Sequence, residues 1–193
     1  MASPERRVRI SRSREVRTYA ELWHASRVLC DMAHAEEKGS MWTSLSSILL
    51  TMFTLEAYLN HIGPKLFRSW NDLEALSPRA KLEVILEKIG LNLPRGKNPI
   101  QMVDKLVRFR NALAHGKTQT LKPKDELHSA SSDIDKALGN RPMTDWEKLC
   151  SPDFAALARK QVEELVHKIH SAAQIKGEYP FVHGIGMHSA SME

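Results

Sequence analysis

The feature that most constrains the fold of this chain is the helical spacing of its apolar residues. In five segments apolar side chains recur every three or four positions, between Ser-Pro or Gly boundary signals, as in helices that bury one face. β-Branched runs are almost absent, and no Asn-Gly or Asp-Gly turn joins alternating segments. The pattern predicts an all-α, four- to five-helix up-and-down bundle. The segments are 18–38, 41–62, 78–89, 99–115 and 152–177, with a short helical turn at 70–76.

The length and composition of the chain indicate one domain. With 193 residues and 42% hydrophobic content, it can bury one good core. We place the helical domain at 18–176, between an arm at 1–17 and a flexible tail at 177–193. Residues 117–143 are polar, lack sustained periodicity, and are long for a connection. They are expected either as a flap over a site or as an insert with one short helix at 131–138.

The positive charge is concentrated in the arm. Residues 1–17 contain six arginines and two glutamates, which is +4 of the net +5, so the rest of the chain is nearly neutral. Such an arm either contacts phosphates or is a solvated, partly disordered leader, and the sequence favours neither. A strongly basic groove in the body is excluded.

The expected compartment is the cytoplasm. Cys30 and Cys150 are far apart and lack CxxC spacing, which favours two buried thiols in a reducing environment. The N-terminus is arginine-rich rather than apolar, unlike a signal peptide. The most apolar stretch, 48–59, is too short to span a bilayer and contains Glu56. We therefore expect no membrane partner.

The motif with the most functional groups suited to catalysis lies at the end of the segment 99–115. Arg110, Asn111 and His115 provide a fixed cation, a small hydrogen-bonding amide and a proton-transfer group within about a turn and a half. On a helical wheel Arg110 falls inside the apolar arc, whereas Asn111 and His115 stack at its edge. The helix boundaries are predicted from a cap at Asn98, a first turn at Pro99, a capping-box partner at Gln101 and a left-handed Gly116.

A second charged residue falls on the apolar arc of another helix. Ser40 is a candidate cap for the helix 41–62, which Gly63 and Pro64 should close. Glu56 lies in the middle of its arc, and Asn60 shares that face one turn later. Because a buried guanidinium is costly without a partner, we predict that Glu56 faces Arg110.

Simpler interpretations of these residues remain open. His115 could be a cation at the negative end of a helix dipole, and Arg110 could form a plain core ion pair. His167 and His170 share a helix face but lack an obvious third ligand, so exposed histidines are favoured over a metal site. No HExxH, paired CxxC or acidic cluster is present, and we expect neither a metal nor another cofactor.

Together, Leu55-Glu56-Ala57-Tyr58-Leu59-Asn60 and Arg110-Asn111-Ala112-Leu113-Ala114-His115-Gly116 resemble the HEPN superfamily, over roughly residues 18–176. Its hallmark is R-x4-6-H with a polar residue directly after the arginine. The resemblance implies a HEPN-type bundle that works as a homodimer with a composite site. It also implies catalytic roles for Arg110, His115 and Asn111, and supporting roles for Glu56 and Asn60. Arg108 and Lys117 flank the motif and are the candidate substrate-binding residues.

The activity that the resemblance implies is metal-independent endoribonucleolytic cleavage, in a toxin–antitoxin or defence setting. RNA would be the substrate, and an antitoxin or regulatory protein a further partner. His115 would move protons at the ribose 2′-OH or the departing 5′-oxygen, while Arg110 holds the phosphate. The main alternative is a non-catalytic HEPN module that binds protein, nucleotide or RNA. A small-molecule-binding bundle is a weaker third option.

Overall fold

The structure, a computed structural model, describes residues 8–122 and 141–192. This part of the chain is mostly helical, as predicted, and contains two strands. The helix expected at 131–138 lies outside the described residues, as does most of the expected flap. The elements are β1 (Val8–Arg14), α1 (Thr18–Ala35), α2 (Ser40–Leu66), α3 (Trp70–Leu73), α4 (Pro78–Lys88), α5 (Ile100–Ala114), a 3-10 helix (Glu147–Leu149), α6 (Pro152–Ala172) and β2 (Gly186–Met192).

The central element is α2, which packs against α1, α4, α5 and α6. Its inward face is buried, with Ile48, Met52 and Leu59 all at 0% exposure and four hydroxyl side chains buried with them, Ser44, Ser47, Thr51 and Thr54. The turn from α1 into α2 is tight because Gly39 adopts a left-handed backbone, with φ of 85°. Gly39, and not the predicted Ser40, occupies the N-cap; Ser40 is already the first helical residue.

The predicted end of α2 at Gly63 and Pro64 is wrong. The helix continues to Leu66, and the N–H of Phe67 donates to the carbonyl of Gly63 at 2.9 Å. A Cβ on Gly63 would lie 2.2 Å from the indole of Trp70. The glycine therefore serves close packing of this ring against α2 rather than helix termination.

The boundaries of α5 also differ from the prediction. Pro99 occupies the N-cap, no side chain caps the helix, and Asn98 and Gln101 form no capping box. At the other end His115 is the C-cap, with φ of −117°, and Gly116 after it does not have the predicted positive φ, so the helix ends without a left-handed residue. Gly116 instead allows close backbone approach, because a Cβ there would lie 2.8 Å from the Ala112 carbonyl oxygen.

Side-chain caps form at three other positions. The hydroxyl of Ser77 accepts from the Ala80 N–H at 3.3 Å, and that of Ser151 accepts from the Phe154 N–H at 3.2 Å. Thr144 and Glu147 form a capping box, with the Thr144 N–H donating to Glu147 at 2.7 Å. The box precedes the 3-10 helix, which turns the chain toward α6.

The two strands were not predicted from the sequence. β1 of the arm pairs antiparallel with β2 of the tail, from Val8 opposite Met192 to Arg14 opposite Gly186. Between α6 and β2 the chain packs on α1, where Phe181 stacks on Trp23 with ring centroids 4.4 Å apart. His24 Nε2 lies 3.2 Å from the Phe181 carbonyl oxygen. These contacts bring the arm and the tail to the same end of the bundle.

Both cysteines are buried free thiols, as the sequence favoured. Burial raises the pKa of each, that of Cys150 to about 11, so both remain protonated near neutral pH. Within residues 8–122 and 141–192, no helix combines the length and apolar character needed to cross a bilayer.

Candidate functional site

The last two turns of α5 place the motif at the border between core and solvent. Leu106 and Phe109 are buried beneath them, with at most 2% exposure. Asn111 and His115 are exposed one turn apart, as the wheel predicted. Arg110 is intermediate, because its position on α5 directs its side chain along the surface of α2. Along the helix, Asn111 directly follows Arg110, and His115 lies about a turn and a half beyond it.

The predicted proximity of Arg110 and Glu56 is confirmed. Nη2 of Arg110 lies 3.9 Å from Oε2 of Glu56, and Nη1 donates to Oδ1 of Asn111 at 3.0 Å. The two charged side chains keep 31% and 24% of their surface exposed, so neither is sealed in the core. The guanidinium is therefore held from two sides and retains a solvent-facing surface, which is what binding an anion requires.

A buried lysine, which the sequence analysis missed, supports the same face of α2. Lys81 on α4 is only 3% exposed and donates to Oδ1 of Asn60 at 2.9 Å. The helical spacing of α4 could have indicated that this lysine is buried, because Lys81 lies on the same buried stripe as Pro78, Leu82 and Ile85. Asn60 is thus fixed by a hydrogen bond to an ammonium group, one turn from Glu56.

His115 and the two predicted substrate-binding residues are exposed. The His115 N–H donates to the Asn111 carbonyl at 3.0 Å, but among the described residues its imidazole has no partner. Arg108 lies two turns before His115 on the solvent side of α5. Lys117 lies just beyond the helix, where it lines a cleft. All three are accessible to a ligand in a single copy of the chain.

The apolar arc of α2 is only partly covered. Trp42 is 62% exposed and Phe53 37% exposed, and Leu49 between them is half-buried. These residues follow one stripe of α2 that leads to Glu56, the partner of Arg110. An uncovered apolar stripe beside a candidate site is typical of an interaction surface.

Of the two histidines considered as metal ligands, only His167 is exposed, as expected. His170 is half-buried, since Nδ1 lies 3.2 Å from the Tyr58 hydroxyl and Nε2 lies 3.0 Å from the Glu178 carbonyl oxygen. His170 is less exposed than His167 because the tail packs over α2 and α6 at this position. Across the two described ranges there is no group of three or more His, Cys, Asp or Glu residues arranged to hold a metal ion.

Comparisons with protein-family models, curated proteins and solved structures found no match to this chain. The site is therefore interpreted from its own geometry. That geometry consists of a partly exposed arginine held by a glutamate and an asparagine, an exposed histidine about a turn and a half further along α5, and an uncovered apolar stripe on α2 that leads to Glu56.

Proposed function

We propose that this chain is a HEPN-type, metal-independent endoribonuclease that cleaves RNA at a composite site between two identical copies. The observation that supports it best is the state of Arg110, which is oriented by Glu56 and Asn111 yet remains 31% exposed. A guanidinium in a plain core ion pair would be buried. One that binds a phosphate must be both fixed and accessible.

The proposed chemistry is transesterification within the RNA strand. The ribose 2′-oxygen attacks the adjacent phosphorus and loses its proton, and the bond from phosphorus to the 5′-oxygen breaks. His115 takes the first proton or supplies one to the departing oxygen, since its imidazole is accessible at the helix end. Arg110 binds the phosphate and offsets the charge that develops on it. The products are a 2′,3′-cyclic phosphate and a 5′-hydroxyl.

The homodimer is supported by the uncovered stripe of α2. A twofold interface over Trp42, Leu49 and Phe53 would bury this surface and bring two copies of Glu56 and Arg110 toward each other. Two facing guanidinium groups repel unless an anion lies between them. The RNA phosphate would supply that anion, so substrate binding and dimer geometry would stabilise each other.

Cleavage assays in EDTA test the proposal. The parent protein and the variants His115→Ala and Arg110→Ala are incubated with single-stranded and structured RNAs. We expect cleavage by the parent, at least 100-fold less by each variant, and no cleavage of DNA, which lacks the 2′-OH nucleophile. Helical circular dichroism checks that the variants remain folded. Equal activity in all three proteins would refute the assigned residues, and inertness of all three would favour the non-catalytic module.

The proposed setting is toxin–antitoxin or defence. RNA cleavage without a cofactor would need control by a partner protein such as an antitoxin. Expression of the parent chain alone should therefore slow growth, and His115→Ala should relieve this effect. Equal growth inhibition by both proteins would contradict a toxic role based on cleavage.

A further inference from the structure

A cleft of about 480 Å³ begins where the motif helix ends. Its first wall is the last turn of α5 and Gly116, so the cleft starts one residue from His115. Its other walls come from the segments 117–121 and 141–147. This volume is within the range of pockets that bind small ligands. Because the cleft begins at Gly116, which follows His115 directly in the chain, a group in it would lie close to a ligand bound at His115.

The cleft has an apolar side and a polar rim. Leu113 and Trp146 are half-buried and pack against the core, and Leu121 adds a further apolar surface at 38% exposure. The rim includes Lys117 and Gln119, both exposed. A flat apolar surface with a cation and an amide beside it can stack an aromatic ring and hydrogen-bond its edge.

The backbone around Trp146 is held by local hydrogen bonds. Trp146 lies between Thr144 and Glu147, the two residues of the capping box, and the Cys150 thiol donates to its carbonyl at 3.3 Å. Hydrogen bonds from Thr144 lower the pKa of the Glu147 carboxyl, which therefore stays ionised. A backbone that is already ordered loses little conformational freedom when a ligand stacks on the side chain that it carries.

The charges at the cleft favour an anionic chain beside the aromatic ring. Arg141 is paired with Glu147 at 3.0 Å, whereas Lys117 has no ion-pair partner among the described residues. Lys117 also follows His115 by only two residues. An anionic group beside a ring in the cleft would therefore have Lys117 available as a cation that is not already neutralised.

We propose that this cleft binds the base of the RNA nucleotide next to the scissile phosphate, with Trp146 as the stacking surface. The inference rests on the proposed nuclease function, which supplies the phosphate at Arg110 and His115. Gln119 hydrogen-bonds the edge of the base, and Lys117 contacts the flanking phosphate. The cleft thereby selects single-stranded or unpaired RNA, because a paired base is already stacked and cannot enter.

Binding measurements on full-length His115→Ala protein test the cleft without cleavage. The probes are six-nucleotide oligoadenylate and oligouridylate with a fluorescent end label. We expect Trp146→Ala and Lys117→Gln, each added to His115→Ala, to weaken binding by roughly 5- to 50-fold, as for loss of one stacked base or one phosphate contact. Trp146→Phe should retain most of the affinity. The oligonucleotide should, however, quench the intrinsic tryptophan fluorescence of this variant much less than that of His115→Ala. Lys176→Gln, an exposed lysine beyond α6, is the matched control and should bind like His115→Ala.

The outcomes distinguish failure of the proposed base-binding role of the cleft from failure of the proposed nuclease function. Binding that depends on Trp146 and Lys117, in a protein whose parent form does not cleave RNA, supports the cleft and refutes the nuclease. If the parent cleaves RNA but Trp146→Ala, Lys117→Gln and Gln119→Ala leave binding unchanged, the base-binding role of the cleft is refuted. The proposed nuclease function is then unaffected. Absence of oligonucleotide binding by His115→Ala also overturns the cleft. Since Gln119 and Lys117 are exposed, their variants remain informative even if Trp146→Ala fails to fold.

Discussion

Arg110 and Glu56 approach to 3.9 Å across the contact between α5 and α2, and both remain partly exposed. This geometry argues against a pair that exists for stability. Ion pairs in such partly solvated positions contribute about 0–1 kcal/mol, because water screens the attraction and the side chains lose freedom. The pair instead fixes the direction of a guanidinium that would otherwise move freely at the surface.

Replacing Glu56 should therefore reduce activity much more than stability. In Glu56→Gln, Arg110 loses its carboxylate partner, and we expect RNA cleavage to fall by about 10-fold while the free energy of unfolding changes by less than about 1 kcal/mol. Cleavage rates and urea unfolding measure the two effects. Glu164→Gln, which breaks the exposed pair with Lys168 at 2.6 Å, is the control and should change neither. A large loss of stability in Glu56→Gln, with activity unchanged, would contradict this role.

The contact between Glu56 and Arg110 could be predicted because two core helices each carry one charged residue on an otherwise apolar arc. Periodicity fixes which residues share a face, and the cost of burying a charge then pairs Glu56 with Arg110. The same logic applies to Lys81 on α4, but its helix is short and its partner Asn60 is uncharged. A neutral acceptor leaves no complementary charge for a sequence pattern to reveal.

The end of α2 and the two-stranded sheet could not be predicted, because both depend on contacts between segments that are separated in the sequence. Gly63 and Pro64 are local stop signals, yet Trp70 packs on Gly63 and α2 continues past both residues. The strands β1 and β2 come from opposite ends of the chain, and neither contains a long β-branched run. Their pairing follows from the way the tail is held on α1 and α2, which no local pattern contains.

The hydrogen bond between Lys81 and Asn60 should contribute to stability as a unit. Asn60→Ala leaves a buried ammonium group without its acceptor and should destabilise the protein by about 1–3 kcal/mol. In a Lys81→Met background the same change should cost much less, because no charge is then left unpaired. Urea unfolding of the parent, both single variants and the double variant measures this coupling. Strictly additive effects would show that the contact is not formed in solution.

Acid should weaken the attachment of the tail through Glu178. Burial of its carboxyl would raise the pKa, but hydrogen bonds from Lys65 and His61 outweigh this and lower it from 4.5 to about 2. A carboxyl with a lowered pKa stabilises the folded state above pH 4.5, and this contribution is lost as the pH falls toward 2. Protonation also leaves the Lys65 and His61 nitrogens facing each other at 3.1 Å without the carboxylate.

Glu178→Gln tests this pH dependence. At pH 6 the variant should unfold more easily than the parent by about 1–3 kcal/mol, the usual contribution of hydrogen bonds to a charged group. At pH 3 the difference should shrink, because Glu178 is largely protonated in the unfolded parent, where its pKa is the ordinary 4.5, although it is still mostly ionised in the folded protein. Denaturant unfolding at both pH values measures it, with Glu164→Gln as the control for a surface ion pair. A difference that stays constant from pH 6 to pH 3 would exclude Glu178 as the titrating group.

The uncovered stripe of α2 predicts how the chain associates. Phe53 is 37% exposed and lies one turn before Glu56, so Phe53→Glu would place two carboxylates in a twofold interface without removing a core residue. We expect the parent to sediment as a dimer at micromolar concentration and Phe53→Glu as a monomer. RNA cleavage should be lost together with association, because each half of the composite site would lack its partner. Val28→Glu, at a residue 58% exposed on α1, introduces the same charge elsewhere and should remain dimeric and active. A parent protein that is monomeric yet cleaves RNA, or an active Phe53→Glu monomer, would exclude the shared site and leave each copy to act alone.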